Sequence, residues 1–287
     1  MFLIYDTETT GLAKNWNAPL TDSENWPRIV QFAWQLHDET GKLLSRGNRI
    51  VTPDGFTIPF QSAKIHGITT EIAQAKGMPL KEVVEEFNKD LGRATYVMGH
   101  NIEFDVNVLG AELHRLGQEM EPLTKKPSIC SKEEATEFCA IPGGRGGRFK
   151  WPSLTELHTK LFKKGVVDAH DAAYDVDATA RCFFELCKLG VISRPEIKDR
   201  SKIAYEAPKL ENANFSKASK SAAKKKTTEK PAVKAGSTLA NNASLAELEG
   251  VKFTHLHAHS QFTILQAVSS VDELVETAVK SGMPAVA

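Results

Sequence analysis

The sequence predicts a mixed α/β sheet with helices on both faces. Three observations lead there. Residues 2–5, Phe-Leu-Ile-Tyr, form a short apolar run that ends in acidic and turn residues, as a strand buried on both faces does. Two more β-type runs follow, joined by Glu39-Thr40-Gly41-Lys42, the composition of a hairpin turn. Beyond residue 80, apolar residues at helical spacing alternate with short strand-like runs.

In order, the first strand leads into Asp6 and Glu8, then Thr9, Thr10 and Gly11. Residues two apart on a strand share a face, so the two acids are expected side by side at the end of a central strand. Residues 13–28 read as a polar loop ending near Pro27, with Trp16 and Trp26 inside it. Residues 29–36 and 43–51 read as antiparallel strands that complete a small meander. Residues 53–59 read as loop, and residues 62–69 carry His66 before a glycine. Leu80, Val83, Val84, Phe87 and Leu91 share one helical face. Residues 96–98 are the next strand, closed by Gly99-His100-Asn101. Phe104, Val108, Leu109, Leu113 and Leu116 mark a second amphipathic helix. Residues 128–130 are expected as a short strand, and 143–150 as a glycine-arginine loop. Ser153 with Glu156 three residues on forms a capping box for a helix over 153–162. The last strong helix is expected over 169–189, ended by Gly190.

Composition bounds the function. The 287 residues suffice for one large domain or two smaller ones, and the 41% hydrophobic content is ordinary for a globular chain with a sizeable core. The zero net charge hides a split, because residues 209–234 hold eight lysines against two glutamates. Cys130, Cys139, Cys182 and Cys187 show no Cys-x-x-Cys spacing, which argues against a zinc ribbon or disulfide framework and for reduced thiols. No apolar run reaches the roughly 20 residues of a membrane span. The N-terminus lacks a basic region followed by a long apolar stretch. A cytoplasmic location without membrane contact is therefore expected. Residues 207–246, rich in lysine, alanine, serine and threonine, lack the apolar content to offset their ordering entropy. They read as a flexible basic linker. The expected organisation is a domain over 1–205, a linker over 206–250, and a new histidine-rich segment over 251–287.

Two adjacent carboxylates repel unless something neutralises them, and a divalent cation with oxygen ligands is one solution. A charged turn after an ordinary strand is the other. Asp105 lies at the start of the helix after the fourth strand, as Asn101-x-x-x-Asp105, and Asp175 near the start of the last helix, as His170-x-x-x-x-Asp175. In an α/β sheet such positions converge on one crevice. Four acids there suit a two-metal site, with ions roughly 4 Å apart clamping both oxygens of an in-line phosphoryl displacement. Magnesium fits best, with manganese as the substitute, because its ligands are oxygens and its shell keeps waters and substrate phosphates. His170 and Asp175, five apart, would sit about 140° apart on one helix. His170 is therefore expected on the preceding loop, where an imidazole with a pKa near 6.5 suits a general base. The plain alternative is a histidine without chemistry beside a helix capped by Asp168 or Asp171.

DTETTGL (6–12), HNIEFD (100–105) and HDAAYD (170–175) resemble the three motifs of the DEDDh 3′–5′ exonuclease superfamily. The resemblance is nearest to the epsilon-type proofreading subunits and domains of bacterial DNA polymerase III. KIHGIT (64–69) and WPSLTELHTKLF (151–162) also look like segments of that family. The likeness covers residues 1 to about 195. It implies a ribonuclease H-like fold in which Asp6, Glu8, Asp105 and Asp175 bind two divalent ions and His170 activates the attacking water. It also implies that Thr7, Thr9, His66 and Asn101 help to receive the terminal nucleotide. For His66, a buried structural role is the competing reading. The insertion over 13–28 and the GGRGGRFK loop depart from the family pattern.

Arg145, Arg148 and Lys150 would contact the phosphate backbone near the site, or would simply be solvated. Leu12, Phe60 or Ile65 would wedge under the terminal base. The lysine run either attracts nucleic acid or serves as a solvated tether. In the tail, His255, His257 and His259 alternate, the spacing of a metal site on a strand. FTHLHAHSQFTILQA there resembles the opening of the polymerase-and-histidinol-phosphatase domain at the start of polymerase III alpha subunits. Its 37 residues lack that domain's other ligands, so a complete metal site is not expected in the tail.

The sequence is thus read as a metal-dependent 3′–5′ exonuclease for single-stranded or frayed DNA 3′ ends, tethered in cis to a polymerase III alpha module. A sliding clamp would be a further partner. The alternatives are an RNA-trimming exonuclease of the same superfamily and a catalytically silent docking module, which would be expected to have lost an acid.

Overall fold

A computed structural model describes residues 1–166 and 171–210. The chain folds around a central strand, β1 (Phe2–Thr9). It pairs antiparallel with β2 (Ile29–His37), which pairs antiparallel with β3 (Leu43–Ile50). On its other side β1 pairs parallel with β4 (Tyr96–Gly99), and β4 with β5 (Ser128–Cys130). Among the described residues this makes one mixed five-stranded sheet, ordered β3-β2-β1-β4-β5. The β2–β3 turn is closed by the Asp38 carboxylate, which accepts from the backbone N–H groups of Thr40 and Lys42. Gly41 takes the left-handed conformation (φ 87°) that this turn needs.

Alternation along β1 sends its side chains to two separate cores. Leu3 and Tyr5 join Phe32, Trp34, Phe87 and Leu109 on one face, under α3 (Leu80–Arg93) and α4 (Ile102–Arg115). Phe2 and Ile4 join Met98, Phe183 and Phe184 on the other, under α8 (Leu154–Phe162) and α9 (Ala172–Leu189). The expected layering, a sheet with helices on both faces, is therefore observed. The capping box of α8 forms in full, with both the Ser153 and Glu156 bonds made.

Differences from expectation are local. β1 continues through Asp6 and Glu8 to Thr9 rather than ending at the acids, because β2 pairs along its whole length. Helix α9 begins at Ala172, not near 169, because the Asp171 side chain accepts from the Ala173 N–H and caps it there (3.0 Å). Residues 60–76 fold into α1 (Phe60–His66) and α2 (Thr70–Lys76). Three single turns, α5 (Glu121–Thr124), α6 (Ser131–Glu134) and α7 (Thr136–Cys139), frame β5. All of these are shorter than the window over which helical periodicity is legible. The last described segment returns to the sheet. Ala204 N–H donates to Thr40 (2.9 Å), the Tyr205 hydroxyl donates to Asp177 (2.6 Å), and Arg46 reaches the Lys209 carbonyl (2.7 Å). The expected linker beyond 210 and the tail over 251–287 lie outside the described residues. Among the described residues, no helix is long and apolar enough to cross a membrane.

Candidate active site

The face of each acid follows from strand alternation. Asp6 and Glu8 continue the Phe2–Ile4 face of β1, the face covered by α9. Asp175 lies in the first turn of α9. One ligand oxygen from each of Asp6, Glu8 and Asp175 lies within 4.8 Å of the others. Asp105 arrives from the opposite layer, in the first turn of α4, and is 3% exposed. Its Oδ1 accepts from the Thr7 N–H (3.0 Å) and the Thr7 hydroxyl (2.7 Å). Thr7 points to the α4 face because it is the odd residue between the two even acids. One strand segment thus presents two carboxylates to one side and grips a third from the other.

The electrostatics are those of crowded acids. Burial first, then Asp105, Asp175, Glu8 and Asp171, push the Asp6 carboxyl well above the usual carboxylate range. Burial, with Asp175, Asp105 and Asp171, pushes Glu8 up to about 8. Burial raises Asp105 to about 7 against the lowering effect of the Thr7 bonds, with Asp175 adding to the rise. Every influence on Glu8 among the described residues opposes its negative charge. Such a set of oxygen donors fits a hard divalent cation, whose charge would reverse each of these shifts.

Asn101, the residue before α4, is left-handed (φ 80°), and its Oδ1 accepts from Lys132 Nζ (2.6 Å) rather than from the first turn of α4. The Thr9 hydroxyl donates to the Gly11 carbonyl (2.7 Å). His66 is 5% exposed at the end of α1, and its Nδ1 accepts from the Ile68 N–H (3.2 Å). Ser62, on the same helix, donates to the Thr10 carbonyl (2.9 Å) and ties α1 to the loop after β1. Leu12, Phe60 and Ile65 are exposed around that contact. His170 lies outside the described residues, and Asp171 immediately follows it.

Sequence reasoning passed over Gln31 and Asn48. Gln31 sits opposite Glu8 in the β1–β2 register and is 1% exposed. Its Nε2 donates to Asn48 (2.9 Å) and to the cap Asp171 (3.0 Å). The available signal was a glutamine inside an otherwise apolar strand. Lys132 was also passed over, having no motif of its own, and Trp151, the first residue of the WPSLTELHTKLF segment, was given no role.

Known proteins resemble this chain in sequence and in fold. The chain is 28% identical over 192 residues to a PolC-type DNA polymerase III from Halalkalibacterium halodurans, covering 65% of this chain and 11% of that protein. It is 27% identical over 206 residues to the 3′-5′ exonuclease DinG from Bacillus subtilis, covering 71% and 19%. The chain therefore spans only a small part of the length of these relatives. In fold it resembles E. coli exonuclease I, solved with a dT13 oligonucleotide, with a TM-score of 0.51 at 21% identity, covering 65% of this chain and 40% of that one. The sequence pattern of the exonuclease family matches residues 3–183. That stretch is well over half of the chain and takes in all four acids, and on this ground the chain belongs to the exonuclease family.

Proposed function

We propose that this domain removes nucleotides one at a time from the 3′ end of single-stranded or frayed DNA, releasing nucleoside 5′-monophosphates. The observation that carries the reading is the meeting of Asp6, Glu8 and Asp175 oxygens within 4.8 Å, with Asp105 gripped beside them. Asp6, Glu8, Asp105 and Asp175 would hold two magnesium ions, or manganese in their place. Bound there, the ions supply charge neutralisation for the scissile phosphate and its leaving oxygen. Asp105 is kept in place by Thr7, and Asp175 by the Asp171 cap of its helix. His170, on the segment leading into that cap, would take the proton of the attacking water on a ring nitrogen. Leu12, Phe60 and Ile65 offer an apolar rim for the terminal base. The relatives support a replicative setting, in which the polymerase would be carried in cis and the chain would work in the cytoplasm.

The test uses one oligonucleotide labelled at either end, incubated with and without magnesium. A 5′-labelled strand should shorten in a ladder and a 3′-labelled strand should release labelled mononucleotide at once, both only with metal. Release of oligonucleotides, or shortening from the 5′ end, would refute the reading. An RNA strand of the same sequence, if cut faster, would move the assignment to RNA trimming.

A further inference from the structure

Beyond the acids, an aromatic and basic patch stands at the same edge of the sheet. The loop 141–150 is pinned at its base by an antiparallel bridge, with Lys150 N–H donating to Ile141 (2.7 Å). Gly143, Gly146 and Gly147 take positive φ and let the chain fold tightly between these ends. From 138 to 155 the chain has three cations, Arg145, Arg148 and Lys150, and no acid. Lys150 pairs with Glu156 (2.8 Å), whereas Arg145 and Arg148 are exposed and form no ion pair among the described residues. Trp151 follows directly and is 59% exposed, a large apolar ring left in water beside Phe149.

Trp151 is tied to the site. Lys132 Nζ lies 4.0 Å from its ring centroid and donates to Asn101 Oδ1. Pro152, its neighbour, accepts from the His100 ring (3.0 Å). Register fixes the height: Cys130 pairs with Gly99 and Met98 with Ile4, so Lys132, Asn101 and Asp6 to Glu8 all lie at the carboxyl end of the sheet. β5 is two strand spacings from β1, or about 10 Å, the distance over which a strand anchored at the acids would carry its next one or two nucleotides.

We propose that Trp151, backed by Lys132 and flanked by Arg145 and Arg148, is the stacking platform for a base just upstream of the terminal nucleotide of a single strand. Lys132 lies against the ring, and the exposed surface of that ring takes the base. The arginines face the adjoining phosphates. Exposed aromatic surface with unpaired cations suits single-stranded nucleic acid, because each base has a π-face and each link a negative charge. This inference deepens the exonuclease reading and rests on it for the position of the 3′ end.

The test is binding of fluorescent dT6 to the full chain in chelator, so that no cleavage is required. Trp151→Ala should weaken binding about tenfold and Trp151→Phe by no more than about threefold. Arg145→Ala with Arg148→Ala should flatten the dependence of log Kd on log salt by about 1 to 1.5. Thermal melting of each variant checks that the fold is retained. Unchanged dT6 binding by Trp151→Ala, as a platform for another protein would give, overturns the proposal. So does an equal loss in the Ala and Phe variants. A wild-type chain that binds dT6 through Trp151 yet releases no nucleotide with magnesium would sink the nuclease reading and leave the platform standing.

Discussion

The Gln31 amide on β2 donates to the Asp171 carboxylate at 3.0 Å, so the strand beside Glu8 holds the cap of the helix that carries Asp175. Both amide hydrogens of Gln31 are used, one on Asn48 and one on Asp171. One buried side chain thereby ties β2 to the N-terminus of α9.

Removing that side chain should loosen the site without touching it. Gln31→Ala leaves Asn48 and Asp171 short of a donor, at a stability cost of about 1–3 kcal/mol. A small displacement of catalytic groups is expensive in rate. The expected outcome in steady-state kinetics is a kcat about tenfold lower with KM changed less than about twofold. A loss confined to KM would contradict the positioning role.

Charge removal at the acids separates folding from metal binding. Asp6→Asn relieves repulsion in the metal-free chain and should raise its unfolding midpoint by about 2–4 °C, equivalent to about 1 kcal/mol. Magnesium or manganese at one hundred times its Kd should stabilise the wild type by about 2.7 kcal/mol. The variant should lose this stabilisation together with its activity. Differential scanning calorimetry with and without metal reads both effects.

His170→Ala should lower kcat by about 10²- to 10⁴-fold, the range for loss of a general base. Binding of a single strand in chelator should be nearly unchanged. The expected companion result is loss of the acidic limb of the pH–rate profile.

His100 makes stability depend on pH. Burial chiefly, with Lys132 nearby, pulls its imidazole down to about 4, while the bond to Pro152 opposes the shift. The folded state therefore holds the ring neutral, with Nε2 against the Pro152 carbonyl and Nδ1 against the Ser131 hydroxyl. The unfolded chain binds the extra proton between about pH 6.5 and 4. Its contribution is fully present above about pH 6.5 and is lost as pH falls towards 4, at most about 3 kcal/mol by the 1.36 kcal/mol per pKa unit relation. Denaturant unfolding from pH 7 to 4 should show the wild type losing more stability than His100→Gln. Parallel curves would refute the assignment.

Local patterns made much of this molecule legible. β1 to β3, α3, α4 and α8 are visible because alternation and helical spacing are properties of neighbouring residues, and Ser153 with Glu156 announces its own helix. Asp6 and Glu8 stand together for the same reason, two residues apart on one strand. The short helices α1, α2 and α5 to α7 left no readable period. The paired glutamine had no motif to mark it, and the exposed Trp151 stood in a family-like segment that assigned it no role.

Residue order alone carries the recurrence of acids at strand ends and helix starts, and with it the layered α/β class and the four acids. It took the folded arrangement to bond Asp105, from the far side of the sheet, to Thr7 between the two strand acids, and to set Gln31 against the cap of the helix bearing Asp175. These contacts join residues 98 and 140 positions apart. No local period encodes such pairs. They exist because the sheet register and the two helix layers, each fixed by burial of its own apolar face, leave these polar groups opposite one another.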